Sequence, residues 1–284
     1  MKNVRLIALL ALFGCEKSSS EEPAPSPKQD GVQLLSLGNE PQRILQYHLK
    51  KGAHTALEMA MNLDLDVSPR PTKMPTIVMV LDIAVEDVLA SGSARVKTRV
   101  TAVKLLDRPT ATLDAVSLGP MSQMLTGMVY TSTLAPDGSM SNGQIAGGTG
   151  QLKTQLEDLT RAIEQVAMRL PTVPVGVGSK WSSKKTTKQN GVEITTVTTT
   201  QLTAIDGDKL EFASETTLSA PDQKTSQQGT TVEISDVGGG GSAKGGVDLS
   251  TMAMHGTISS EFRGTVAVGG ESSAMRVVME LVLK

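Results

Sequence analysis

The chain has 284 residues, a formal net charge of -2, and a composition that is 39% hydrophobic but only 2% aromatic. It lacks the basic excess that marks a nucleic-acid partner, and its length suits one large or two modest β-rich domains. Its one cysteine, Cys15, excludes a disulfide framework, and 14 Met stand where aromatics are scarce in the apolar interior.

Lys2 and Arg5 precede an apolar run over residues 6–13, closed by Gly14 and Cys15. About 8 apolar residues fall far short of the roughly 20 that a membrane-spanning helix needs, so the run reads as a secretory signal peptide, residues 1–14. Leu12-Phe13-Gly14-Cys15 resembles the lipobox of bacterial lipoproteins, with a Phe13 bulkier than the usual occupant of its position. The resemblance implies that Cys15 becomes the acylated first residue of the mature chain, a palmitate-bearing lipid anchor. At about 0.8 kcal/mol per buried methylene, one acyl chain holds marginally and two or more hold stably. Glu16 stands where an Asp favours inner-membrane retention in many Gram-negative lipoproteins, so the resemblance points to the outer membrane, on its periplasmic or its surface face. A Gram-positive source would place the chain outside its single membrane.

Residues 16–31 are polar and rich in Pro and Ser, without apolar periodicity, which predicts a disordered lipidated tether. We take the tether over 15–37 and the first β-rich half over 38–150. Leu45, Tyr47 and Leu49 alternate with polar residues and predict a first strand, followed by a turn at Lys51-Gly52. Leu57, Met59, Met61, Leu63, Leu65 and Val67 then alternate with Glu58, Asn62, Asp64 and Asp66, the mark of a half-buried antiparallel strand. Pro69, Pro71 and Pro75 interrupt it. Ile77, Met79, Leu81, Ile83 and Val85 repeat the pattern, Ser91-Gly92 turns, and Val96, Thr98, Val100 and Ala102 return. Residues 109–127 read as irregular with one or two helical turns around Gly119-Pro120. Met128, Tyr130, Ser132 and Leu134 make a strand before the Pro136-Asp137-Gly138 turn.

Leu152, Leu156, Leu159, Ile163, Val166 and Leu170 recur at helical spacing, predicting an amphipathic helix over 151–170 that ends at Pro171 and packs on a sheet. The second β-rich half, 171–284, restarts at Trp181. Asn190-Gly191 is a hairpin signal, Val192, Ile194, Thr196, Thr198, Thr200 and Leu202 alternate after it, and Asp206-Gly207-Asp208 turns into Leu210, Phe212, Ser214, Thr216 and Leu218. Val232 and Ile234 lead to residues 238–246, a glycine-rich stretch read as a flexible loop. Met252, Met254, Ile258 and Phe262 form a strand, and Gly269-Gly270 leads to the last one, Met275, Val277, Met279, Leu281 and Leu283.

The halves echo each other: Val85-x-x-Val88 precedes the Gly92 turn as Leu202-x-x-Ile205 precedes the Gly207 turn. The predicted fold is therefore mainly β: antiparallel, strongly curved sheets or a half-barrel from two related halves, with one helix packed on a sheet. Leu45-x-Tyr47-x-Leu49-Lys50-Lys51-Gly52, the junction Leu170-Pro171…Pro174-Val175-Gly176-Val177-Gly178-x-x-Trp181 and the Ile205-Asp206-Gly207-Asp208 turn together resemble a family of bacterial envelope lipoproteins classed as a domain of unknown function. The resemblance covers roughly residues 40–284; it implies a shared β-rich fold and supplies no activity and no site residues. More distantly, the architecture is similar to periplasmic lipoprotein carriers of the Lol type, whose curved sheets hold acyl chains, an analogy at the level of fold.

Candidate chemistry is sparse. His48, His54 and His255 lack metal-ligand spacing, and Asn62, Asp64 and Asp66 on an extended strand are too far apart to wrap a cation. Ser182-x-x-Lys185 matches the first element of penicillin-interacting serine enzymes, but the Lys-Thr-Gly those enzymes also need is missing from the sequence; Lys180, Lys184, Lys185 and Lys188 read as charges guarding a strand edge. Residues 238–246 lack the Gly-Lys-[Ser/Thr] order of a phosphate loop. The sequence therefore calls for no enzyme, no metal, no cofactor and no nucleic acid. Two readings lead: a binding module whose groove for a lipid or other apolar ligand is lined by Leu57, Met59, Met61, Met79, Met252, Met254, Met275 and Met279, each of which could equally be core, or a structural protein with a filled core that meets envelope partners through a Thr-rich outer surface at 195–200. A third, an enzyme of unrecognised type, would require polar groups converging in a cleft.

Overall fold

The computed structural model describes residues 31–67, 70–146, 168–189, 192–227 and 230–284. The signal peptide, Cys15, the tether as far as residue 30, the Asn190-Gly191 turn and residues 151–167 of the predicted helix lie outside the described residues. Fourteen strands make one sheet: β1 (Val32–Ser36), β2 (His54–Val67), β3 (Arg70–Lys73), β4 (Thr76–Val88), β5 (Ala94–Leu106), β6 (Val129–Leu134), β7 (Met140–Ala146), β8 (Lys180–Gln189), β9 (Val192–Asp206), β10 (Lys209–Ser219), β11 (Gln223–Gln227), β12 (Thr230–Asp248), β13 (Met254–Val268) and β14 (Glu271–Leu283). Their order is β1-β8-β9-β10-β12-β13-β14-β2-β4-β5-β6-β7, with β11 beside β12 and β3 beside β2. Every pairing is antiparallel, and the sheet is not closed into a barrel. Each half is thus a meander, and the two fuse at the β14–β2 pair into a single sheet.

Antiparallel meanders follow from the turns. Gly92, Gly207, Gly269 and Gly270 have positive φ at the hairpins the sequence marks. Pro71 sits on β3, which pairs only with β2, as a residue lacking an N–H requires. The ambiguous stretch before β6 holds a 3-10 turn (Val116–Leu118) and the short helix α1 (Gly119–Leu125), with Pro120 in its first turn where a missing N–H costs nothing.

Three expectations about the segments outside the main strands need correction. Residues 32–36 are not tether: they form β1, whose Leu34 lies opposite Trp181. The segment around Leu45, Tyr47 and Leu49 is extended but is not a strand of the sheet. Its N–H groups go to loops, Tyr47 to the Pro136 carbonyl at 2.8 Å and His48 to that of Leu249 at 3.1 Å, while the three apolar side chains are buried. Alternation reported one-sided burial, which an extended plug satisfies as well as a ladder does. The last residues of the predicted helix, 168–170, are not helical; the Leu170 N–H bonds to the Asp137 carbonyl at 2.8 Å and its side chain is buried in the core.

The main core sits at one end of the strands. Leu57, Ile83, Val85, Val96, Leu134, Trp181, Leu202, Leu210 and Val247 come from both halves and close on Leu45, Tyr47, Leu49, Leu170 and Val175 from the two crossing segments. Burial raises the Tyr47 phenol's pKa far above its ordinary value. The crossing is close: Arg43 and Val175 exchange backbone bonds at 3.1 and 2.9 Å, and a Cβ on Gly176 would stand 1.7 Å from the Asn39 carbonyl oxygen. A second, smaller cluster of Val192, Val232, Ile234 and Val237 fills the far end of the second half.

Candidate functional site

Side chains alternate across a strand, so the register defines which residues share the face on which the core is built. Three rows cross that concave face. One runs Trp181, Thr200, Ser214, Ala243, Ile258, Leu281, Met61 and Ile77; the next runs Ser183, Thr198, Thr216, Gly241, Ser260, Met279 and Leu63; the third runs Lys185, Thr196, Leu218, Gly239, Phe262, Val277 and Leu65. Taken together the rows grade in chemistry. Hydroxyls hold six of the nine places on β8 to β10, the others being Trp181, Lys185 and Leu218, small residues lie on β12, and Met, Leu and Val on β14 and β2.

Of the lining residues the sequence proposed, Met59, Met61, Met79 and Met279 are brought together. Met59 lies opposite Met79 and Leu283, Met61 opposite Ile77 and Leu281, and Met279 opposite Leu63. These four methionines are half-buried. The other four are not groove. Leu57 is 4% exposed within the core, Met254 opens β13 against the core, and Met252 is not in a strand but in the preceding turn, at φ 65°, packed on the same core. Met275 is 6% exposed and lies opposite Val67, toward the far end of β14. Leu63, Leu65 and Val277, which sequence reasoning left out, share this face with the methionines, although period-two alternation already put Leu63 and Leu65 there; Phe262, next to Val277, packs against the second, smaller cluster.

The Thr-rich stretch is not one outer surface. Thr196, Thr198 and Thr200 share the concave face with core residue Leu202, and Thr195 and Thr199 face the other way. The Thr198 and Thr216 hydroxyls pair at 3.0 Å and those of Thr200 and Ser214 at 2.9 Å, with Thr200 5% exposed. Nor is 238–246 a loop; it lies inside β12, paired with β10 and β13. Glycine is needed there because the neighbouring backbone is too near for a Cβ: one on Gly239 would be 2.4 Å from the Glu261 carbonyl oxygen.

On the opposite face several strand carboxylates have partners. Asp64 is held by the Arg108 guanidinium and Lys73, and Asp66 by Arg276 at 3.3 Å. Hydrogen bonds from Arg276 and Arg263 hold the half-buried Glu261 carboxyl down to about 2. Each histidine meets a different carboxylate: His48 with Asp208 at 3.0 Å, His54 with Asp82 at 3.6 Å, and His255 with Glu211 at 3.0 Å. The His48 pKa is raised, chiefly by the Gln46 carbonyl; burial opposes this, and Asp208 adds to the rise. Ser182 and Lys185, three apart on β8, point to opposite faces of the sheet, so the lysine cannot activate that hydroxyl. Beyond Ser183, β8 has no β1 residue beside it, and Lys184 is exposed along this open edge. A shallow trough of about 420 Å³ on the outer face is lined by Lys180, Thr199, Gln201, Glu215, Ser242 and Lys244, among others.

The fold and this face define an open antiparallel sheet whose concavity is filled at one end and half-buried and apolar along β14, β2 and β4. Residues 120–252, from α1 to the end of β12 and the turn after it, are similar to a Family of unknown function (DUF6263). No curated protein and no solved structure matches the chain. Among the described residues no helix is long and apolar enough to cross a membrane.

Proposed function

We propose that this chain is a lipid-anchored cell-envelope protein that works by binding, holding a lipid or another apolar ligand against the Met- and Leu-lined part of its concave face. One observation carries the reading: Met59, Met61, Leu63, Met79 and Met279 form a contiguous patch that is half-buried, whereas the core at the other end is filled. Unbranched thioethers adapt to ligands of irregular shape, which rigid aromatics do not. Anchoring rests on the lipobox at Cys15, and the outer membrane on Glu16.

Native mass spectrometry of the purified chain, with organic extraction of what travels with it, tests the ligand. The expected result is a stoichiometric adduct of lipid mass that disappears in Met61→Glu while the far-ultraviolet circular dichroism is unchanged. A clean apo mass after incubation with envelope lipids would overturn the reading. It would favour the partner-binding role, for which the outer trough around Lys180 and Lys244 is the available surface. For the anchor, growth with an alkyne-tagged palmitate should label the chain and fail to label Cys15→Ser; equal labelling of both would remove Cys15 as the acceptor.

A further inference from the structure

Across the three rows of the concave face, Lys185 is the one residue with an ionisable side chain. It is half-buried and enters no hydrogen bond or ion pair among the described residues, unlike Lys51, Lys73, Lys97 and Lys224, which each meet a carboxylate. An ammonium partly withdrawn from water without a counter-charge is costly, and an anion brought to it repays that cost. Thr196 is its cross-strand neighbour, and the Thr198–Thr216 pair lies one row away. In that pair only one of the two O–H groups is spent on the other oxygen, so a second proton remains for an acceptor. Along the same row as Lys185, Leu218 stands two strands away and Phe262 four, about 19 Å along the sheet at roughly 4.8 Å per strand; both pack against the smaller apolar cluster, and from Phe262 the row continues apolar through Val277 and Leu65.

We propose that the concave face takes a single-chain anionic amphiphile, with its carboxylate or phosphate head at Lys185 and the Thr198–Thr216 hydroxyls and its acyl tail over Phe262 and Met279. The proposal rests on the reading that this face holds an apolar ligand, and adds the head group and the direction in which the ligand lies. Lysine supplies a point charge on a flexible stem, suited to either kind of anionic head.

Titration calorimetry of the full chain with laurate, with dodecanol as the uncharged probe of equal chain length, separates the two claims. Laurate is expected to bind at least tenfold tighter than dodecanol, a charge-assisted contact being worth a factor of that order. Lys185→Gln should abolish the preference, and Lys184→Gln, on the opposite face of the same strand, should keep it. Thr216→Val should weaken laurate binding and Thr216→Ser restore it. Equal affinities in the wild type, or a preference that survives Lys185→Gln, would overturn the head-group assignment and leave the apolar reading standing. Binding of neither probe would overturn both. Displacement of laurate by inorganic phosphate alone would reduce the site to one for small anions and also overturn the proposal.

Discussion

Replacing Trp181 by Ala should lower the unfolding free energy by about 3–5 kcal/mol, the usual cost of emptying a large aromatic site. Trp181 is 2% exposed and lies at the start of β8, opposite Leu34 of β1 and Thr200 of β9, in the cluster that joins both halves to the crossing segments. Its indole N–H donates to the Arg169 carbonyl at 3.0 Å, tying the strand to the chain that enters the junction. Truncation leaves a cavity lined by rigid sheet, which cannot collapse, and removes the hydrogen bond to that carbonyl as well. Since Trp181 is the chain's one tryptophan, denaturation should be followed by far-ultraviolet circular dichroism in both proteins. A loss below about 1 kcal/mol would mean that the two halves do not depend on this core.

Gly245→Ala should cost about 3 kcal/mol, the upper part of the range for overpacking. A Cβ at this position would stand 2.1 Å from the His255 carbonyl oxygen and 2.7 Å from the Gly256 Cα, so β12 and β13 would have to separate. Both neighbours are backbone and cannot swing aside. Gly238→Ala is the contrasting case: nothing lies within 4 Å of its Cβ. That substitution should be neutral or stabilise by up to about 1 kcal/mol, through the lost freedom of the unfolded chain. Urea denaturation of the two variants side by side checks the difference. Equal, small effects would mean that the glycine run is as loose as a linker, against its place in the ladder.

That run shows where sequence reading stops. Nine residues rich in glycine have the composition of a loop, and nothing local says that two neighbouring strands press so close that only glycine fits. The plug at Leu45, Tyr47 and Leu49 went astray for a related reason. Its alternation is real, and so is the burial it implies, but hydrogen-bond partners 89 to 201 residues away decide whether an extended segment is a strand or a crossing loop (Tyr47 to Pro136, His48 to Leu249). By contrast, the β2, β4, β6, β9, β10 and β14 alternations were legible because a half-buried strand writes its own period.

The site divides in the same way. Period two already separated Met59 and Met61 from Glu58 and Asn62, but it could not say which partner strand would face them. Only pairing put Met79 and Met279 beside them and left Leu57, Met252 and Met254 to the core. The segments around Leu45, Val175 and Asp206, which carried the resemblance to envelope lipoproteins, converge at one end: Arg43 donates to the Gly207 carbonyl and shares a bridge with Val175, and His48 meets Asp208. Local pattern determined by itself that this protein is built of half-buried antiparallel strands and where most of them turn. The tertiary structure alone decided that the two halves are one sheet, that Thr196 and Thr198 look inward, and that Lys185 shares their face. Those outcomes depend on strand order and register, set by packing between residues far apart in the chain, and a single strand's periodicity carries no information about its neighbours.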